Sequence, residues 1–178
     1  MNGITKDRLL VPVIMLLLCG ILIKWIKPRR EELRAGVITA TLIAAGDYIL
    51  EIAAGKLNLW HYHGEFMFLG LPPDMFADFV FLVLFLCLGW IYFKRKGARQ
   101  AALYKLVLFF ILGTYALLHN KRAIEMGFIT FSEKVTYGTI WYTIGCYVLL
   151  GFLLAGALFL YEIILARISR KHTTGGEP

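Results

Sequence analysis

The sequence has little charge for its length. Asp, Glu, Lys and Arg together make up 17% of its 178 residues, whereas soluble domains carry about 25%. Apolar residues reach 59%, and the mean hydropathy is +0.69. This composition excludes an ordinary soluble enzyme and predicts an integral membrane protein.

Cysteines and soluble-enzyme motifs are equally scarce. Cys19, Cys87 and Cys146 lie in three different apolar runs, which excludes a disulfide framework and indicates small core residues. The chain has no Gly-rich phosphate loop, no His-Glu-x-x-His and no Gly-x-Ser-x-Gly. We therefore expect no cofactor, and the motifs leave any catalytic residue unassigned.

What the chain does have is long apolar runs. A helix needs about 20 residues to cross a bilayer core, and five segments come close to or exceed that length. They run approximately over 9–26, 35–54, 76–93, 101–118 and 140–166. We predict an all-α, polytopic bundle with about five transmembrane helices. It forms a single domain over residues 1–171, and residues 172–178 form a disordered cytoplasmic tail.

Basic residues predict the orientation of these helices. Of the 19 lysines and arginines, 13 lie in the first connection, the third connection and the tail, all on one side of a five-helix bundle. By the positive-inside rule the N-terminus is outside and the C-terminus cytoplasmic, in what we expect to be a prokaryotic plasma membrane. Because the net charge of +7 is spread over short clusters between apolar runs, it indicates topology, and we expect no nucleic-acid partner.

Two carboxylates interrupt the second apolar run. Asp47 and Glu51 are four residues apart, so a helix places them on one face. An ionised carboxylate at membrane depth costs about 2.5 kcal/mol or more, so a pair needs a proton, a countercharge or water. We predict that this face is a functional site and that at least one of the two acids is protonated near neutrality. Lys56 or Arg122 could instead neutralise Glu51 in a structural pair.

Other ionisable side chains reach the same outer level. The connection over residues 55–74 is too apolar for a solvated loop and too rich in Gly and Pro for a span, which predicts an interfacial or re-entrant segment. We predict a binding or proton-relay site that contains Asp47, Glu51, His61, His63, Asp78, His119 and Glu125. His61 and His63 with a carboxylate would supply three metal ligands, but the segment has no evident rigid scaffold, so we expect no bound metal.

Two local patterns resemble known families. Asp47, Trp60, Tyr62, Gly70, Pro72 and Asp74 stand at the places of the core motif of heterodimeric-type lycopene cyclases and related membrane terpenoid cyclases. That resemblance implies acids that protonate a polyene and stabilise cationic intermediates. A longer pattern, Lys27 to Arg30, Glu51, Glu125 and Gly127 to Phe131, resembles uncharacterised small multi-spanning membrane proteins of spore-forming bacteria. That second family implies no defined activity.

The sequence leaves three functions open. The first is a module that binds or transports a proton, a cation or an amphipathic ligand at the outer site. The second is a membrane-embedded acid-base terpenoid cyclase, and the third is a structural or accessory protein. The expected partners are the lipid bilayer and an isoprenoid or other amphipathic ligand. Small residues in the last helix also predict close helix approach, within the bundle or in a homo-oligomer, at Gly145, Gly151, Ala155 and Gly156.

Overall fold

The structure is a computed structural model that describes residues 4–63, 74–133, 135 and 138–174. Five helices account for nearly all of these residues. They are α1 (Ile4–Ile26), α2 (Arg30–Lys56), α3 (Asp74–Lys96), α4 (Ala98–Glu125) and α5 (Ile140–Thr174). The predicted all-α fold is confirmed, and each predicted apolar run lies within one helix.

The basic residues concentrate at one end of the bundle, in the short connections and in the helix turns beside them. The backbone N–H of Arg29 donates to Glu32 Oε2 at 2.6 Å at the start of α2, which satisfies a helix-end donor. Arg95 of α3 pairs with the same carboxylate and donates to the carbonyl of Ile26 at 2.9 Å. Only Gly97 separates α3 from α4, and its φ of 123° is one that side chains rarely adopt. These contacts hold α1, α2 and α3 together at this end.

The bundle is arranged around α3, which packs against all four other helices. Its central residues Val83, Leu86, Cys87 and Leu88 are buried. The hydrophobic core also takes in Ala35 and Ala40 of α2 and Leu154, Ala157, Leu158 and Tyr161 of α5. All three cysteines are free; Cys19 and Cys87 are buried in the core, and Cys146 is half-buried.

The outer surface of the helices is apolar. Phe152 and Trp141 of α5 are each 75% exposed, and Leu50 of α2 is 65% exposed. Among the described residues, three helices are long and apolar enough to cross a membrane: α2, α4 and α5 as far as Arg170. Helix α1 adds a shorter apolar run over Val13–Ile26. An apolar core inside an apolar exterior is what a lipid-exposed bundle requires, since lipid replaces water around it.

A two-stranded antiparallel sheet, absent from the predicted elements, lies at the end opposite the basic connections. Strand β1 (Trp60–Tyr62) follows α2, and β2 (Ile129–Phe131) follows α4. Trp60 pairs with Phe131, His61 with Thr130 and Tyr62 with Ile129. This pairing brings the C-terminal ends of α2 and α4 to one level. Residues 64–73, half of the predicted interfacial or re-entrant segment, lie outside the described structure.

The last helix is longer than its apolar run. It continues to Thr174, three residues into the segment predicted as a disordered tail, and residues 175–178 are not described. Among the small residues of α5, Gly151 packs closely, because a Cβ there would lie 2.8 Å from the ring of Phe109 on α4. Gly145 and Gly156 meet no neighbouring atom among the described residues. Gly151 thus serves packing within the chain.

Candidate functional site

The site is built on the last three turns of α2, where Asp47 and Glu51 project from one face. Both side chains are half-buried. The spacing of four residues brings them onto the same side of the helix, one turn apart. The sequence prediction that these two acids share a face is therefore confirmed. We call this pair, together with Trp60 and Tyr62, the outer acidic site.

Glu51 has two hydrogen-bond donors from β1. The indole Nε1 of Trp60 donates to Glu51 Oε2 at 2.7 Å, and the hydroxyl of Tyr62 donates to the same oxygen at 3.2 Å. Because an indole N–H can only donate, Oε2 must be the acceptor. Trp60 and Tyr62 reach one carboxylate together because alternate residues of a strand point to the same face.

A tight turn places β1 over the end of α2. The helix ends with the amide of Leu57 donating to the carbonyl of Ala53 at 2.9 Å. Asn58 then takes a left-handed conformation with φ 56°, which Asn tolerates better than most side chains. The amide of Leu59 turns back to the carbonyl of Ala54 at 3.0 Å. The chain therefore reverses at once, and Trp60 returns to the helix face that it has just left.

Two backbone hydrogen bonds extend the β1–β2 pair beyond the strands, and one aromatic ring joins it to α5. The amide of His63 donates to the carbonyl of Phe128 at 2.8 Å, and the amide of Ser132 donates to that of Leu59 at 2.9 Å. The ring of Phe131 lies 5.8 Å from that of Trp60 and 5.8 Å from that of Tyr142 on α5. Phe131 thus joins the outer acidic site to the last helix.

Two carboxylates give the site its negative charge, and one of them, Glu51, accepts hydrogen bonds from two neighbouring donors. Burial raises the pKa of the Tyr62 hydroxyl, and the charges of Glu51 and Asp47 and the hydrogen bond to Glu51 raise it further. Tyr62 therefore remains a neutral donor at physiological pH. Within the described structure no Lys or Arg lies within 4.0 Å of either carboxylate, and neither Lys56 nor Arg122 makes the structural pair with Glu51 that the sequence allowed.

Asp47 differs from Glu51 in its surroundings. Glu51 accepts two hydrogen bonds, whereas no donor from the described residues reaches the Asp47 carboxylate. Asp47 is still close enough to Tyr62 for its charge to act on the pKa of that phenol. The pair therefore consists of one carboxylate held by two donors and one that receives no hydrogen bond from the described residues.

The other predicted site residues lie near this end but are engaged elsewhere. His61 is exposed and hydrogen bonds to Asn58, and exposed His63 Nε2 lies 2.8 Å from Thr130 Oγ1. Glu125 is exposed and lies 4.0 Å from Lys121. The side chains of Asp78 and His119 lie outside the described structure. The described contacts therefore join only Asp47 and Glu51 of the predicted set, with Trp60 and Tyr62.

No metal site forms from the residues that the structure describes. Among them, no three His, Cys, Asp or Glu side chains lie close enough together to hold an ion. His61 in β1 and His63 directly after it are both exposed, and each hydrogen bonds to a different neighbour.

Sequence reasoning missed the role of Trp60 and Tyr62 as partners of Glu51. The signal was present in the alternation of Trp60, His61 and Tyr62, and in Ile129, Thr130 and Phe131, which is typical of a half-buried strand. Runs of three residues are too short to be separated from an interfacial loop by periodicity.

A second polar cluster, at the basic end of the bundle, was also missed. Glu162 of α5 accepts from Trp90 Nε1 at 2.7 Å and from Lys94 Nζ at 2.6 Å. The ammonium group of Lys105 lies 4.5 Å from the centre of the Trp90 ring. Three helices therefore contribute to this cluster, which no spacing within one helix would reveal.

The chain matches no protein-family model, no curated protein and no solved structure. Both family resemblances described above therefore remain predictions.

Proposed function

We propose that the chain is a five-span protein of a prokaryotic plasma membrane, with its N-terminus outside and its C-terminus in the cytoplasm. The asymmetry of the basic residues supports this orientation. Three described helices have the length and apolar character of spans, and α3 carries a comparable apolar run between Asp74 and Lys96. In this orientation the outer acidic site faces the outer leaflet and the basic connections face the cytoplasm.

We further propose that the outer acidic site binds a proton and that the protein is a proton-binding or proton-transport module. The observation that carries this proposal is the difference between the two acids. Glu51 is held by Trp60 and Tyr62, while Asp47 is half-buried with no donor among the described residues. A carboxylate with a like charge one turn away and no countercharge is stabilised by taking up a proton.

A proton fits these neighbours better than a hard metal cation. Hard cations require several oxygen ligands, but the two groups nearest the acids, the Trp60 indole and the Tyr62 hydroxyl, donate hydrogen bonds to Glu51. Such donors stabilise a carboxylate that stays ionised. One member of the pair can then remain charged while the other, Asp47, gains and loses the proton.

Proton flux in proteoliposomes tests this function. We expect wild-type protein to dissipate an imposed pH gradient, reported by a trapped pH-sensitive dye, and Asp47→Asn to abolish that flux. Glu125→Gln is the matched control, because it removes a carboxylate at the same end that is exposed and paired with Lys121. Equal flux through wild type and Asp47→Asn would contradict a transport role for the site.

A terpenoid cyclase is the second candidate, and one observation favours it. Asp47, Trp60 and Tyr62, three of the residues that carry the resemblance, meet at one place in the fold. An acid beside two aromatic rings is a chemically sound arrangement for protonating a polyene and stabilising the resulting cation. Incubation of the protein with linear polyenes would yield cyclic products in wild type and none in Asp47→Asn.

A structural role is the third candidate, because Glu51 of α2 accepts two hydrogen bonds from β1 and so holds the strand against the helix. In that case Asp47→Asn and Glu51→Gln would change thermal stability in detergent but not proton flux. Lost flux at unchanged stability would instead assign Asp47 to the working site.

A further inference from the structure

A cavity of about 560 Å³ opens between α4 and α5, far from the outer acidic site. Its walls are apolar side chains, and Phe109 lies against Gly151 at its inner limit. The lining on α5 runs from Gly151 to Glu162, which is about 16 Å along a helix that rises 1.5 Å per residue. We call this cavity the α4–α5 groove.

The groove is polar only at its basic end. Trp90, Lys105 and Glu162 line it there, while Ala102, Leu106, Leu154, Ala155, Leu158 and Phe159 line the rest. Glu162 is already bound by Lys94 and by the indole of Trp90. Its negative charge is therefore neutralised within the protein.

Lys105 is the cation that remains. Its ammonium group lies over the Trp90 ring at 4.5 Å and makes no ion pair within the described structure. With Lys94 and Glu162 compensating each other, the end of the groove carries one net positive charge. A cation at the end of an apolar channel complements a ligand with a negative head and an apolar chain.

We propose that the α4–α5 groove binds one acyl chain of an anionic phospholipid and that Lys105 contacts its phosphate. Such a lipid matches both the apolar walls and the positively charged end of the groove. The chain covers the apolar walls between α4 and α5, and the phosphate meets Lys105 at the level of the headgroups. A neutral phospholipid would cover the same apolar walls, but its headgroup would interact less favourably with the Lys105 ammonium group.

Native mass spectrometry of the full chain in detergent tests this site by titration with phosphatidylglycerol or with phosphatidylcholine of the same chains. We expect one phosphatidylglycerol to bind about fivefold more tightly than phosphatidylcholine. Lys105→Met should remove that preference. Lys96→Met is the matched control, since Lys96 also lies over an aromatic ring, that of Tyr92 at 4.3 Å, at the same end but outside the groove. Lys96→Met should keep the preference.

A second pair of variants tests the binding of the acyl chain. Ala155→Phe should fill the groove and weaken the binding of both lipids, whereas Leu149→Phe, on the exposed surface of the same helix outside the groove, should not. Glycerol phosphate, which has the headgroup but no chain, should not compete. Equal binding of the two lipids, equal losses in Lys96→Met and Lys105→Met, unchanged binding in Ala155→Phe, or competition by glycerol phosphate would each overturn the proposal. Because Lys105 is exposed, Lys105→Met tests the site even where Ala155→Phe fails to fold.

Discussion

Asp47 and Glu51 are the same kind of group on the same helix face, yet their neighbours give them different roles. Glu51 accepts hydrogen bonds from Trp60 and Tyr62, so its position is fixed. Asp47 meets no such donor among the described residues, and burial without a hydrogen bond is costly for a charged group. At the scale of single residues, we therefore propose that Glu51 positions β1 and that Asp47 binds the proton.

Truncating Glu51 tests its positioning role. Glu51→Ala leaves the half-buried indole N–H of Trp60 without its acceptor, so we expect a loss of about 1–3 kcal/mol in stability. Glu51→Gln keeps an acceptor oxygen and should cost less. Glu125→Ala, which removes an exposed pair with Lys121, should cost under about 1 kcal/mol. Denaturation in mixed micelles measures all three, and equal losses for Glu51→Ala and Glu125→Ala would contradict the assignment.

The sequence alone located this pair of acids but not the groups that bind Glu51. A spacing of four residues determines which side chains share a helix face, so the relation of Asp47 to Glu51 could be predicted. The contact of Glu51 with Trp60 depends on the reversal of the chain at Asn58, which residue types indicate only weakly. Lys56 and Arg122 were reasonable countercharges by sequence, yet neither pairs with Glu51 within the described structure.

At the scale of elements, helices were predicted well and strands were not. The predicted run over 35–54 lies inside α2 (Arg30–Lys56), and the helix extends beyond it at both ends. Hydropathy detects the apolar part of a helix, whereas capping by Glu32 and the turn after Lys56 set its true ends. Strand β1 forms through pairing with β2, which is almost 70 residues away, and a local pattern cannot report such a partner.

Phe131 is the side chain that should couple the strands to α5. It contacts the rings of Trp60 and Tyr142, and aromatic pairs contribute about 0.5–1.5 kcal/mol each. We expect Phe131→Ala to increase hydrogen–deuterium exchange of the β1 amides by about tenfold or more. Thr130→Ala, at the neighbouring exposed position, should leave exchange nearly unchanged. An unaltered exchange rate in Phe131→Ala would show that the strands do not depend on this contact.

For the whole molecule, composition was the strongest predictor. The apolar exterior and the small apolar core around α3 agree with a chain that is 59% hydrophobic. What composition could not reveal is which helices meet. Glu162 and Trp90 are 72 positions apart in the sequence, and together they line the polar end of the α4–α5 groove. Its lining residues had no shared pattern that would have marked a site.

The proposed topology makes its own prediction. In a cysteine-free background, single cysteines at Asn2 and Glu133 should react with a membrane-impermeant maleimide on intact cells. Cysteines at Arg30 and Arg99 should react only after permeabilisation, because five crossings place them on the cytoplasmic side. Labelling of Asn2→Cys only after permeabilisation would remove α1 from the set of spans, and labelling of Arg99→Cys on intact cells would reverse the orientation.

Infrared difference spectroscopy of the purified protein during a pH titration tests the proton-binding site most directly. We predict a protonated-carboxyl band that disappears as the pH rises, that is absent in Asp47→Asn, and that persists in Glu125→Gln. Glu51→Gln should retain the band but change the pH at which it disappears, because the like charge one turn away has been removed. A titrating band that is identical in wild type and Asp47→Asn would contradict the assignment of the proton to Asp47.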